Sequence, residues 1–259
     1  TGGSVRLPAS VCGVYGLRTT HGHVSLRGAM ALAPSLDTVG WFTRDLATMA
    51  KVASACGLAD GVGIDRLLLP VDVWANASAA TVEAMGPTLQ RLTAAAGEAQ
   101  PIVLARDGLG TWLDAFRTCQ AAEVWQTHGP WVEATDPTFG PGIAERFELA
   151  ASIDDTGHAQ ARATRRDIAQ QLHARLGTAT ALVVPTGPDP APFVGSAEPD
   201  LDAFRQRALR MLCPAGLAGL PQLSIPAGRV DGGPVGLSLV GPAGSDAALV
   251  ALAARAKLG

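Results

Sequence analysis

A serine that follows two adjacent glycines, in the run Thr1-Gly2-Gly3-Ser4, is the strongest candidate for chemistry in the sequence. Because glycine has no Cβ, the backbone at this run can adopt positive φ angles and come close to a substrate. A bend of this kind places the hydroxyl of Ser4 beside backbone N–H groups, which can stabilise the oxyanion that forms during acyl transfer. The run therefore indicates acyl-transfer chemistry at Ser4.

Other familiar catalytic and binding motifs do not occur in the sequence. Arg6 stands where a G-x-S-x-G nucleophile elbow needs its second glycine, and there is no H-E-x-x-H motif, Walker A loop or strand-linked G-x-G-x-x-G motif. The histidines lack metal-ligand spacing apart from His21 and His23, a pair more typical of a surface or structural role in a turn-rich segment. Composition leaves a Ser-His-Asp triad open, but no spacing indicates one. No metal and no cofactor are expected.

The composition is typical of a globular protein. Hydrophobic residues make up 47% and charged residues 17% of the 259 residues, which is enough for one large domain with a buried core. The net charge of −3 gives no electrostatic reason to expect a nucleic-acid or membrane partner, and no apolar run reaches membrane-spanning length. The cysteines are scattered without a C-x-x-C pair, which favours reduced thiols and a cytoplasmic location.

Strand and helix signals alternate along the chain. They predict an α/β layered fold, with a mixed β-sheet covered by helices on both faces, in a single domain over residues 1–259. The continuous apolar run at 179–185 is typical of a strand buried on both faces, whereas the polar helix at 154–176 is expected to expose its arginines to solvent. Strands are predicted at 11–17, 23–26, 66–70, 101–105, 179–185, 222–226 and 235–240. Helices are predicted at 44–56 (capped by Thr43), 79–96 (capped by Ser78), 109–127, 154–176, 201–212 and 246–258, with a loop at 128–142.

The amino-terminal run closely resembles the core motif of the amidase signature family of serine hydrolases. The likeness covers residues 1–10, continues through 12–18 and His21-Gly22, and recurs in the family's order at 34–45, 185–188, 219–228 and 234–241. It therefore extends over the whole chain. The resemblance implies the amidase signature fold and a hydrolase that cleaves carboxylic amides through a Ser-Ser-Lys triad.

The resemblance also implies a role for each residue of the run. Ser4 corresponds to the nucleophile that forms the acyl-enzyme, and the backbone N–H groups of Thr1, Gly2, Gly3 and Ser4 itself correspond to the oxyanion hole. Arg6 is expected to support the loop through hydrogen bonds. Whether Arg6 is purely structural or also contacts the substrate stays open.

The family's two other catalytic residues, a lysine base and a serine with a cis peptide bond, lie upstream of the glycine-serine motif. The lysines of this sequence, Lys51 and Lys257, lack the family's lysine context, and no Ser-Ser-Gly run occurs. A serine needs an adjacent base to be nucleophilic at neutral pH. We therefore expect this chain to be the C-terminal portion of an amidase domain, inactive without an N-terminal segment that carries the lysine and the cis serine.

The favoured function is hydrolysis of a small-molecule amide to an acid and ammonia or an amine. Within the family, the block containing Val39-Gly40-Trp41-Phe42 looks more like the arylacetamide hydrolases, of the indole-acetamide type, than the glutaminase subunit of tRNA amidotransferases. Three alternatives stay open: the glutaminase subunit just named, a catalytically inactive scaffold or receptor module, and an N-terminal nucleophile at Thr1 exposed by self-cleavage. No nucleic-acid or membrane partner is expected, and a homodimer is left open.

Overall fold

The computed structural model describes residues 1–58, 62–140 and 142–258. In this part of the chain the strands are β1 Tyr15–Arg18, β2 Gly40–Thr43, β3 Arg66–Pro70, β4 Ala99–Ile102, β5 Thr180–Pro185, β6 Gln222–Val230 and β7 Gly233–Val240. They form one seven-stranded sheet in the order β2-β1-β6-β7-β5-β3-β4. The sheet is mixed, because β3 runs parallel to both β4 and β5 while the other neighbouring strands are antiparallel.

Helices connect the strands. They are α1 Arg6–Cys12, α2 Leu46–Ala55, α3 Val71–Trp74, α4 Ala79–Ala96, α5 Leu109–Thr135, α6 Ala144–Ala151, α7 Asp155–Leu176, α8 Glu198–Leu217 and α9 Asp246–Arg255. Among the helices that the structure describes, none combines the length and the apolar character needed to cross a bilayer.

The strand β5 shows how the sheet is covered on both faces. All six of its residues are buried, and successive side chains of a strand point to opposite faces. Ala181 and Val183 pack in the core cluster that includes α2, α4 and α9, whereas Leu182 and Val184 pack in the cluster that includes α5, α7 and α8. The predicted α/β fold, with helices on both faces of a mixed sheet, is confirmed.

The starts of two helices test the predicted caps. Ser78 caps α4 as predicted, because its Oγ accepts a hydrogen bond from the N–H of Thr81 at 3.2 Å. The predicted cap at Thr43 is wrong: Thr43 ends β2, and the carboxylate of Asp45 accepts from the N–H of Thr48 at 2.7 Å. A carboxylate at the N-cap satisfies a donor that would otherwise lack a partner in the first turn.

Two helices are longer than the sequence predicts because they continue through prolines. α5 passes Pro130 and ends at Thr135, so the first half of the loop predicted at 128–142 is helical. α8 passes Pro214 and ends at Leu217, where the prediction stopped at 212. A proline inside a helix removes one backbone hydrogen bond. Burial of long stretches of both helices in the core outweighs that loss.

The predicted strands nearest the amino terminus are partly wrong. α1 occupies Arg6–Cys12 and β1 starts only at Tyr15, while residues 23–26 form no strand. α1 lies against the sheet where glycines leave room for its backbone. A Cβ added to Gly16 would lie 2.6 Å from the Cβ of Ala9, and one added to Gly236 would lie 2.8 Å from the Oγ of Ser10. These two contacts fix α1, and with it the loop that carries Ser4.

Replacing Gly236 with alanine tests this close packing. Because the new Cβ would also lie 3.0 Å from the backbone Cα of Ser10, α1 must shift. We expect Gly236→Ala to lower the free energy of unfolding by about 2 kcal/mol, a typical cost of overpacking, as measured by urea denaturation. Gly110→Ala in α5 is the matched control. A Cβ there meets no atom within 4 Å, so stability should stay equal or rise slightly. Equal losses in the two variants would contradict the packing of α1.

Candidate active site

The loop Thr1–Val5 leads into α1 and takes a sharp bend at its second glycine. Gly3 has a φ of 122°, a conformation that residues with a side chain rarely adopt. A Cβ added there would lie 2.6 Å from the Cδ1 of Leu212 in α8, so both the bend and the packing require glycine. Ser4 follows directly and is exposed, whereas Gly3 is buried. The bend therefore presents the hydroxyl of Ser4 at the surface of the molecule.

Several backbone N–H groups of this loop have no acceptor within the described part of the chain. The carbonyl of Gly3 accepts from the N–H of Leu7 at 3.0 Å. By contrast, no backbone carbonyl in the described part of the chain accepts from the N–H of Gly2, Gly3 or Ser4. Free N–H groups next to an exposed hydroxyl are the arrangement that stabilises an oxyanion during acyl transfer.

A cavity of about 30 Å³ lies beside Ser4, and it is open to solvent on one side. A cavity of this size has room for at least one water molecule. Its lining comes from the loop that holds Ser4, from Arg18, and from the segment Thr38–Gly40 that leads into β2. The lining contains no lysine, histidine or carboxylate, so no described side chain around the cavity can act as a base for Ser4. Lys51 lies on α2, which packs on the face of the sheet opposite to α1 and Ser4.

Arg6, the first residue of α1, is buried with 1% of its surface exposed. Its Nη1 donates to the carbonyl oxygen of Leu212 at 2.8 Å and to the Oε1 of Gln222. These bonds connect the start of α1 to both α8 and β6. Burial, reinforced by the positive charge of Arg18, lowers the pKa of Arg6 well below its ordinary value. Its side chain faces the protein interior.

Asp37 holds the other end of the loop, and reasoning from the sequence missed it. One carboxylate oxygen accepts from the hydroxyl of Thr1, and the other accepts from the N–H groups of Leu32 and Ala33 at 2.8 and 2.9 Å. Burial alone would raise the pKa of Asp37. The hydrogen bonds outweigh burial, so the pKa lies below its ordinary value and the carboxylate is ionised at neutral pH.

Arg18 supports the same loop from β1. Its Nη1 donates to the carbonyl oxygen of Thr1 at 3.3 Å, and its Nη2 donates to that of Leu36 at 3.2 Å. Burial, together with the charge of Arg165, lowers the pKa of Arg18 to about 10, so it remains a cation at neutral pH. Arg18 and Asp37 therefore join Thr1 to the segment before β2. Both belong to the glycine-rich blocks singled out in the sequence, which was the available signal, but their spacing does not specify their partners.

Similarity to known proteins indicates the family of this chain. A family model described as Amidase matches residues 1–84 and 114–250. The chain is 34% identical to "Amidase 1" of Arabidopsis thaliana, over 97% of this chain and 67% of that protein. It is 32% identical to a glutamyl-tRNA(Gln) amidotransferase subunit from Deinococcus radiodurans, over 98% of this chain and 61% of that protein.

A solved structure described as "Crystal structure of amidase" has the same fold, with a TM-score of 0.86 at 26% identity over 100% of this chain and 62% of that chain. The chain spans between 61% and 67% of the length of the two curated relatives. The family model covers most of the residues, and the identity extends over nearly the whole chain. This chain therefore belongs to the amidase family.

Proposed function

We propose that this chain carries the nucleophile of an enzyme that hydrolyses carboxylic amides. The hydroxyl oxygen of Ser4 attacks the amide carbonyl carbon, and the C–N bond breaks after the nitrogen gains a proton, so that ammonia or an amine leaves. Water then cleaves the Ser4 ester and releases the acid. The observation that carries the proposal is the exposed hydroxyl of Ser4 beside backbone N–H groups that lack an internal acceptor.

The backbone of Gly2, Gly3 and Ser4 would form the oxyanion hole in this proposal, with Thr1 at its edge. Arg6 would act as a support for the loop, since its guanidinium bonds inward to Leu212 and Gln222. The Nη2 of Arg6 has no hydrogen-bond partner among the described residues, and Arg6 also lines the Ser4 cavity, so the proposed supporting role rests on the bonds of Nη1. Preorganised donors of this kind avoid the cost of rearranging solvent as negative charge develops on the substrate oxygen.

The base for Ser4 would come from residues outside the printed sequence. The lining of the Ser4 cavity contains no side chain that could take the serine proton, and the relatives extend beyond the region that matches this chain. The resemblance to the amidase signature implies a lysine and a serine with a cis peptide bond in those roles. In this proposal the described residues supply the nucleophile and the oxyanion hole, and the remaining part supplies proton transfer.

The substrate would be a small-molecule amide, converted in the cytoplasm. Arylacetamides are the first class to test, because the block at Val39–Phe42 resembles their hydrolases. The ring of Trp41 is not available to a substrate: its Nε1 lies 3.0 Å from the Sδ of Met49 in the core on the far side of the sheet. Side chains other than Trp41 would therefore select the substrate.

A glutaminase subunit of a tRNA amidotransferase is the second candidate, favoured by the 32% identity to a protein of that kind over 98% of this chain. The two candidates differ in what they need. An independent amidase should release ammonia from simple amides on its own, whereas a glutaminase subunit should act on glutamine and depend on partner subunits.

Ser4→Ala tests the nucleophile. A fluorophosphonate probe, which reacts with activated serines, should label the intact wild-type protein and fail to label the variant. Ammonia release from a panel of amides should fall at least about a thousandfold, since no other group replaces the hydroxyl. Ser25→Ala, at another exposed serine, should behave as wild type. Equal labelling of Ser4→Ala and the wild type would sink the assignment.

The two glycines should differ in their tolerance of a side chain. Gly3→Ala forces a Cβ into a backbone with φ of 122° and to within 2.6 Å of Leu212, so the loop must move. Displaced N–H donors should slow labelling about a hundredfold, in the range of losing an oxyanion-hole donor. Gly2→Ala is the matched control, because the nearest atom to its Cβ, the Cζ of Phe116, lies 3.6 Å away. A Gly2→Ala variant as slow as Gly3→Ala would argue against this loop geometry.

A further inference from the structure

A second cavity, of about 850 Å³, lies apart from the one beside Ser4 and shares no lining residue with it. Its walls come from α5, from α7, and from the segment that follows β1. We call it the basic cleft and define it by the six basic side chains in its lining, which are His21, His23, His158, Arg162, Arg165 and Arg166. This concentration of basic groups stands out in a chain whose net charge is −3.

One wall of the basic cleft is a single face of α7. His158, Arg162 and Arg166 follow one another at intervals of four residues, and such residues lie above one another on a helix. From the sequence alone the arginines of this helix are expected to form a solvated face, but the structure places three of them in the lining of a cavity. Arg162 and Arg166 are exposed, and no carboxylate of the described residues forms a salt bridge with either.

The acid in the lining does not cancel these charges. Glu123 accepts hydrogen bonds from the N–H of Ser35, at 2.8 Å, and from its hydroxyl. Arg165 pairs with the same carboxylate at 3.9 Å, and its Nη2 donates to the carbonyl oxygen of Ser35 at 2.7 Å. Glu123 and Arg165 therefore neutralise each other within a structural network. Arg162 and Arg166 remain as uncompensated cations.

His158 provides an independent observation. Only 9% of its surface is exposed, and its Nε2 is buried with no hydrogen-bond partner among the described residues. A buried polar atom without a partner is costly, and most such atoms in folded proteins are satisfied. His158 belongs to the lining of the basic cleft, so a turn of its ring would bring Nε2 to a ligand oxygen there.

We propose that the basic cleft binds a small ligand with two negative charges, either a phosphate-bearing molecule or a dicarboxylate. Arg162 and Arg166 would each donate two parallel N–H bonds to an anionic group, as guanidinium groups do with phosphate and carboxylate. The ring of His158, once turned toward the cleft, would bond a further oxygen. This site is separate from Ser4 and does not depend on amide hydrolysis. It does contact the network that holds the Ser4 loop, because the Nδ1 of His21 lies 2.9 Å from the carbonyl oxygen of Asp37.

Isothermal titration of the intact protein with inorganic pyrophosphate, and separately with succinate, tests the proposal. At physiological ionic strength we expect saturable binding of at least one probe at one site per chain. The double variant Arg162→Ala, Arg166→Ala should weaken it by about tenfold or more, because it removes two charge-assisted contacts. His158→Phe, which keeps a ring but removes Nε2, should weaken it less.

The matched control is Arg146→Ala, an exposed arginine on α6 outside the basic cleft, which should bind as wild type. Binding of pyrophosphate alone identifies a phosphate-bearing ligand, and binding of succinate alone identifies a dicarboxylate. Three results would overturn the proposal: no saturable binding of either probe, unchanged affinity in the double variant, or an equal loss in Arg146→Ala. Arg162 and Arg166 are exposed on a helix, so alanine at both positions should preserve the fold, as circular dichroism would verify.

Discussion

The placement of Ser4 depends on contacts between backbones that leave no room for a Cβ. α1 lies on the sheet at Gly16 and Gly236, and the loop before it lies on Leu212 at Gly3. Since protein interiors are packed nearly as densely as organic crystals, a single added carbon at these points must displace a helix or a loop. These glycines are therefore needed by the packing that sets the direction of Ser4, and Gly3 is needed by the bend as well.

Two buried arginines hold the loop that carries Ser4 in place. Arg6 and Arg18 are 1% and 3% exposed, and each donates to backbone carbonyls of other segments. A buried guanidinium carries a large desolvation cost, which is consistent with the lowered pKa of both groups. Hydrogen bonds to fixed carbonyl oxygens offset part of that cost. Asp37 supplies the negative charge near Thr1, so the loop is fixed at its start by Asp37 and Arg18 and after Ser4 by Arg6.

The sequence predicted the elements whose signals are local. β3 and the cap of α4 have the predicted positions, because an apolar run ended by proline and a serine before a helical pattern are sufficient signals. α1 was missed because it is short and is stabilised by its contacts with the sheet. The full lengths of α5 and α8 were missed because burial overrides their prolines.

The candidate site also contains residues that contiguous sequence predicts and residues that only the fold brings together. Ser4 and its glycines were found through a resemblance carried by contiguous residues, and their roles stay predictions. Asp37, Arg18 and the basic cleft could not be found, because their partners lie far apart in the chain and are brought together only by the fold. A histidine and two arginines at intervals of four residues on α7 are a visible pattern, but such a pattern does not show what the helix faces.

The most direct test of the central claim is to trap the acyl-enzyme on the intact protein. Turnover of an activated amide or ester would be stopped with acid, and the proteolytic peptide that contains residues 1–6 would be analysed by tandem mass spectrometry. The account predicts an added acyl mass on Ser4. An acyl group on the hydroxyl or amine of Thr1, or turnover without any adduct on this peptide, would contradict it.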